Sequence, residues 1–339
     1  MTLLDVSNLS VDYHTQEGPI RAVNDVSFSL GANEKLGLVG ESGCGKSTIA
    51  KSILRLLPQN GEVAEGSITL DGTDLTTVDE KTLRQLRWEK LSTVSQTAMN
   101  ALDPVYTVGE QITEAIQLHR DDGKKACRER SRELLDMVGL DPERVDSYPH
   151  QLSGGMRQRA MIAMSLALDP DLVIADEPTT ALDVITQDHI LEEINDLADE
   201  TGSSLLIITH DISVVAETCD TVGVMYGGEL VEFGPTAEVF TDPEHPYTLG
   251  LLSAFPSIDG AADDLITMPG EPPDPHDRPQ GCIFYDRCPY REPRCRERTP
   301  ALTERDTGHT AACFVSDDGT DLEATYDRIL EEGDIWQKL

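Results

Sequence analysis

An apolar run from Lys35 to Val39 ends at Gly40. It passes through Gly40-Glu-Ser-Gly-Cys-Gly-Lys46-Ser47 into a segment whose Ile49, Ile53, Leu54 and Leu57 recur at helical spacing before Pro58. A strand, a glycine-rich turn and a helix in direct succession leave the chain few options. The turn must use backbone conformations open to glycine, and the helix begins with N–H groups that have no partner of their own. The eight residues fit GxxxxGK(S/T), the pattern of a loop that wraps phosphate. Glycines 40, 43 and 45 let backbone N–H groups close around β- and γ-phosphates, Lys46 supplies a cation, and Ser47 can ligate Mg²⁺. Gly40, Glu41, Ser42, Gly43, Cys44, Gly45, Lys46, Ser47 and Thr48 are therefore the first candidate site, set in an α/β layer.

Strand signals precede and follow this unit. Leu3–Leu9, Val23–Leu30, Ser67–Leu70 and Leu91–Ser95 read as strands by β-propensity and alternation. From Val108 to Leu168 the pattern is almost wholly helical, broken at Asp121-Asp122-Gly123 and Pro149. Strands resume at Leu172–Ala175, Ser204–Ile208 and Val222–Tyr226, with a helix over Val184–Ala198 between the first two and a hairpin turn at Gly227-Gly228. The α/β core is expected to close near residue 235. Beyond Phe255 the composition turns to Pro, Gly and Asp, as in Met268-Pro-Gly-Glu-Pro-Pro-Asp-Pro, which predicts a linker or an irregular domain.

Leu172-Val-Ile-Ala-Asp176-Glu177 is an apolar strand ending in two carboxylates, at the strand edge where open α/β sheets bind ligands. Asp176 is placed to hold Mg²⁺ through water, and Glu177 to polarise an attacking water. Leu152-Ser153-Gly154-Gly155-Met156-Arg157-Gln158-Arg159 precedes an apolar helix, so Ser153 with Gly154 and Gly155 makes a second capped helix start able to grip an anion. With these motifs in this order, residues 3 to about 255 resemble an ABC-type ATPase, whose signature is LSGGQ; here Met156 stands in place of the Gln.

The resemblance implies an α/β, P-loop ABC-type nucleotide-binding domain over 1–255, with an antiparallel β subdomain and an inserted α-helical subdomain at about 97–168. A small irregular Cys-containing C-terminal extension over 256–339 follows. It also implies roles for single residues. Tyr13 stands where the family stacks an aromatic on adenine. Gln96 stands at the loop residue that touches Mg²⁺ or the attacking water, Asp183 at the loop that communicates across a dimer, and His210 at the γ-phosphate switch. Ser153, Gly154 and Gly155 would face ATP held by a partner subunit. The stretches Tyr148–Arg159 and His245-Pro-Tyr-Thr-Leu-Gly-Leu-Leu resemble D-type ATPases of dipeptide and oligopeptide importers, and nickel importers are similar. That implies an F-type ATPase partner, two membrane permeases and an extracellular solute-binding protein, with ATP and Mg²⁺ as cofactors.

Cys282, Cys288, Cys295 and Cys313 cluster in a segment that also carries Arg278, Arg287, Arg291, Arg294, Arg296 and Arg298. Four thiolates around a metal centre leave negative charge for such arginines to offset. The D-type resemblance favours a 4Fe-4S cluster; zinc, which prefers tighter CxxC pairs, and free structural thiols remain as alternatives.

Acidic residues number 62 against 27 basic, a net charge of -35, so the chain lacks the cationic excess needed to displace counterions from free nucleic acid. Salt shortens the Debye length and quiets such self-repulsion, which predicts a salt-rich cytoplasm. Met1-Thr2-Leu3-Leu4-Asp5 lacks the basic start and apolar run of a signal peptide, and no stretch reaches the ~18 to 20 apolar residues of a bilayer span. The expectation is a peripheral subunit on the cytoplasmic membrane face, held by permeases. Two rivals are weaker. A soluble ABC ATPase working on DNA or ribosomes would carry a long insertion or a second cassette, and a redox sensor with an incidental ATPase would have to show metal-dependent absorbance.

Overall fold

The computed structural model describes residues 1–95, 101–178, 184–253, 268, 270–306, 308–319 and 322. The chain divides into two compact units. One comprises Met1–Leu4, Leu30–Lys35 and Thr69–Ile208, the other Asp5–Ser29, Leu36–Ile68 and Thr209–Leu339.

In the first unit, β6 (Leu91–Ser95), β7 (Leu172–Asp176) and β8 (Ser204–Ile208) lie parallel, with β7 in the middle. The register pairs Ser95 with Asp176 and Asp176 with Ile208, so the strands end together. Continuous burial of Leu172–Ala175 and of Ser204–Ile208 matches strands covered on both faces. The helical insert begins with Val108–His119, capped reciprocally by Thr107 and Glu110, and continues through Lys124–Met137 to Gly154–Ser165. It is less helical than its apolar pattern predicts. Gly139 takes a φ of 66°, and Pro142 and Pro149 open two 3₁₀ turns, Pro142–Asp146 and Pro149–Gln151. The breaks thus widen into a connection with only single-turn structure.

In the second unit, β1 (Thr2–Thr15) lies between β2 (Gly18–Gly31) and β4 (Gly61–Leu70), most of each strand falling here. The same unit holds strands of another sheet, in the order β11-β12-β10-β9-β3, made of Thr303–Asp306, His309–Ala311, Glu229–Pro235, Thr221–Tyr226 and Lys35–Val39. The pair β9 and β3 is parallel, and β9–β10 is the expected hairpin, with positive φ at Gly227 (54°) and Gly228 (88°). Helix α1 (Lys46–Ile53) stops before Leu57. Arg55 enters the left-handed region at φ 54°, and Leu56 N–H turns back to the Lys51 carbonyl at 2.7 Å, the hydrogen bond of a Schellman end.

The sheet does not close near residue 235. Strands from the tail continue it, with Glu232 opposite Ala311 and Phe233 opposite Thr310, so part of the extension expected to be irregular is ordered by pairing onto β10. The polar sequence Thr303–Ala311 hides these strands from an alternation count. The expected division near 255 falls within 254–267, outside the described residues. No helix among the described residues is long and apolar enough to cross a membrane.

Candidate functional site

The phosphate-loop residues are held as their pattern requires. Gly40 has φ 149°, and a Cβ there would stand 2.1 Å from the Met225 carbonyl oxygen. Gly45 has φ 101°, with the Ala22 carbonyl 2.6 Å from the same position. Both sites exclude any side chain, so the loop is pressed against β9 and β2. Gly45 occupies the N-cap of α1, and no side chain caps the start of the helix. Lys46 is 5% exposed, and its ammonium donates to the carbonyls of Gly40 at 2.7 Å and Glu41 at 3.0 Å. Cys44 is buried, which pushes its thiol pKa up against the opposing charge of Lys46. Ser42 and Gly43 are exposed, and Glu41 to Cys44 line a cavity of about 480 Å³ with Arg278, Tyr226 and Pro272–Pro275.

Tyr13 belongs to the same unit, its hydroxyl 3.4 Å from the Thr48 hydroxyl in the first turn of α1. Its ring packs on Gly61, where a Cβ would approach to 2.8 Å. Ser47 is half-buried in that first turn. Thr209 N–H donates to the Leu38 carbonyl at 3.2 Å, so the chain reaches exposed His210 from alongside the strand that leads into Gly40.

In the first unit, Asp176 and Glu177 lie half-buried at the end of β7. Glu177 takes φ 46°, left-handed for a non-glycine residue, and its N–H donates to the Ile208 carbonyl at 2.8 Å. Such a conformation costs about 1–3 kcal/mol and persists where surroundings enforce it. Ser153 caps Gly154–Ser165 by accepting from Met156 N–H at 3.3 Å, with Gly154 and Gly155 half-buried behind it. Buried Gln158, left unassigned by motif reasoning, donates to the Pro178 carbonyl at 2.6 Å and ties this helix to the strand that ends at Asp176. Its only sequence signal was a polar residue on an apolar helix. Gln96 and Asp183 lie outside the described residues.

The tail cysteines gather without forming a ready ligand set. Cys288, Cys295 and Cys313 are each 7% exposed, and Cys282 N–H donates to the Cys295 carbonyl at 2.7 Å. Burial pushes Cys282 up to about 12 and raises Cys288 and Cys313, with neighbouring cysteines adding to each shift. Among the described residues, no group of three or more His, Cys, Asp or Glu is arranged to hold a metal ion. The expectation of one four-cysteine centre is not met by the side chains as placed.

Residues 23–180 match the family model for ABC transporters, and residues 231–295 match that for the oligopeptide/dipeptide transporter C-terminal region. The chain is 44% identical over 317 residues to the oligopeptide transport ATP-binding protein OppD of Haemophilus influenzae, spanning 93% of this chain and 97% of that one. It is 44% identical over 318 residues to the dipeptide transport ATP-binding protein DppD of Bacillus subtilis, spanning 93% and 95%. Among solved structures, the ATP-binding cassette MJ0796, a post-hydrolysis dimer bound to ADP and Pi, superposes with a TM-score of 0.62 at 29% identity, covering 69% of this chain and 99% of that one. The chain therefore belongs to the ABC transporter ATP-binding family, in the group whose members carry the oligopeptide/dipeptide transporter C-terminal region.

Proposed function

We propose that this chain is the ATP-hydrolysing subunit that energises a peptide importer. The observation that carries the reading is the buried Lys46 ammonium, held by two loop carbonyls beside an uncapped helix start. A buried cation bonded to carbonyl oxygens is poised to exchange them for the stronger phosphate oxygens. The relatives' names as oligopeptide and dipeptide transport ATP-binding proteins support the solute class. In this reading Tyr13 receives adenine, Gly40–Thr48 grips the triphosphate, and Glu177 orients the attacking water while His210 touches the γ-phosphate. Mg²⁺, when bound, neutralises phosphate charge; the hydroxyl of Ser47, the carboxylate of Asp176 and Gln96 are hard oxygen donors suited to it. Ser153–Gly155 completes the site of a second ABC subunit, of F-type, and peptide binding falls to permeases and an external solute-binding protein. Val105, Tyr106 and Leu118 expose apolar surface on the helical insert, a surface suited to a permease contact at the membrane face. The domain reading places 1–255 as the cassette and 256–339 as its extension.

The experiment is Glu177→Gln in the assembled transporter. ATP binding persists while phosphate release slows by about two to four orders of magnitude, the scale of a removed general base. Near-wild-type turnover would remove Glu177 from the mechanism.

Two finer readings accompany this. The soft thiol set of Cys282, Cys288, Cys295 and Cys313 suits an iron–sulfur cluster by donor chemistry. The net charge of -35 suits a salt-rich cytoplasm. Melting temperature should rise by several degrees between ~0.1 M and molar KCl as the Debye length falls from about 10 to about 3 Å; a flat curve would reject salt adaptation.

A further inference from the structure

The phosphate loop carries a negative charge of its own. Glu41 is its second residue, and a carboxylate inside an anion-gripping loop repels phosphates unless a cation cancels it. Arg287, from the tail, supplies that cation. Its Nη1 donates to Oε2 and its Nη2 to Oε1 of Glu41, both at 2.9 Å, a bidentate pair that fixes orientation as well as charge. The guanidinium is buried, 5.5 Å over the Tyr226 ring and 6.0 Å from that of Phe284, and it also donates to the Tyr226 hydroxyl at 3.2 Å. A guanidinium taken out of water at this cost is retained only where its partners are well placed.

The backbone of Glu41 is held as firmly as its side chain. Its N–H donates to the Tyr247 hydroxyl at 2.9 Å, and its carbonyl accepts from Lys46 at 3.0 Å. Tyr247 lies in the helix Pro246–Ser253 and packs with Tyr226 and Phe284, ring centroids 4.7 and 5.6 Å away. One aromatic cluster, drawn from β9, this helix and the tail, therefore carries both groups that grip Glu41.

We propose that Arg287 is a positioning residue for nucleotide binding: by neutralising and anchoring Glu41 it lets the loop meet a polyphosphate as a net cation. The proposal rests on the reading of Gly40–Thr48 as the nucleotide loop and adds a dependence of that loop on the C-terminal region. Loss of Arg287 exposes the Glu41 charge, and the penalty grows with ligand charge, so it falls harder on ATP than on ADP.

The test is titration of the full-length chain with ATP and with ADP. Arg287→Met should weaken ATP binding by about thirtyfold or more, the scale of truncating one partner of a buried charge pair, and ADP binding less. Adding Glu41→Gln to Arg287→Met removes the unpaired carboxylate and should restore most of the ATP affinity, a rescue that a merely structural arginine would not give. Wild-type protein that fails to bind ATP would overturn the nucleotide loop itself. Wild-type binding together with an unaffected Arg287→Met, or with a double variant as weak as the single, would overturn the positioning role alone. Should Arg287→Met not fold, Arg287→Lys keeps the charge and loses the fork; a measurable loss of ATP affinity is expected, and wild-type affinity would overturn the proposal.

Discussion

The phosphate loop and the cysteine-bearing tail belong to one compact unit, yet they hold buried charge by opposite means. The loop cradles Lys46 with backbone carbonyls, in a path that Gly40 and Gly45 alone permit. The tail adds side-chain pairs: Arg287 on Glu41, Arg278 on Glu229 at 2.6 Å, His309 on Glu232 at 2.8 Å, and thiols packed away from water. Backbone cradles are written in glycine spacing within a few consecutive residues. Side-chain cradles are assembled from segments far apart in sequence, and nothing local announces them.

The largest expected effect falls on the backbone cradle. Lys46→Ala leaves the carbonyls of Gly40 and Glu41 without their cation and deprives the triphosphate of its side-chain charge. ATP hydrolysis should fall by more than about two orders of magnitude, the scale of a lost electrostatic stabiliser, with nucleotide affinity reduced alongside. Calorimetric titration and phosphate release measure both. Unchanged values would mean that the two cradles do not differ in function as they differ in construction.

A tail cysteine should behave in the other way. Cys313→Ser places a hydroxyl where a buried thiol sat, at a cost of about 1–3 kcal/mol, so the melting temperature should fall by several degrees while turnover per folded molecule stays within about twofold. Anaerobic purification with iron, sulfide and zinc analysis adds the metal question. Iron and sulfide in near-equal amounts, lost in the variant, support a cluster; zinc selects the alternative, and metal-free folded protein leaves the cysteines as packing thiols. A large loss of turnover in well-folded variant would erase the contrast with the loop.

The same contrast explains what could be read from residues alone. The strand Lys35–Val39, the loop to Ser47 and the strand ending at Asp176 were legible because local period and glycine placement specify them. The end of α1 was not, because Arg55 accepts a left-handed conformation that no propensity advertises. Glu41 was legible as a loop residue but not as half of an ion pair, since its partner lies 246 residues onward. The sequence His245-Pro-Tyr247 marked a resemblance; only the fold shows His245, fully buried with its pKa lowered to about 3 by desolvation, accepting from Tyr247 N–H and so fixing the residue that holds the loop.

The smallest expected effect concerns how the tail is pinned to the sheet. His309, in β12, meets Glu232 of β10, whose carboxylate is fully buried and also accepts from the N–H groups of Glu244 and His245 at 2.7 and 3.0 Å. Burial works to lower the His309 pKa, but the bond to Glu232 and the charges of Glu232, Glu244 and Glu238 together leave it raised above 6.5. A histidine whose folded-state pKa is raised contributes stability that is fully present below the unfolded value of about 6.5. As pH rises above that value the unfolded chain releases its proton first, the folded chain then binds more protons than the unfolded, and stability declines until pH passes the folded pKa. Within that window the loss is at most about 1.4 kcal/mol for each pH unit. Melting curves from pH 5.5 to 8.5 should therefore slope downward for wild type, and His309→Gln, which keeps a donor without a titrating charge, should flatten that slope. Parallel curves for the two proteins would show that the β10–β12 junction holds without the histidinium, and that the tail leans on side-chain charge less than the loop leans on its backbone.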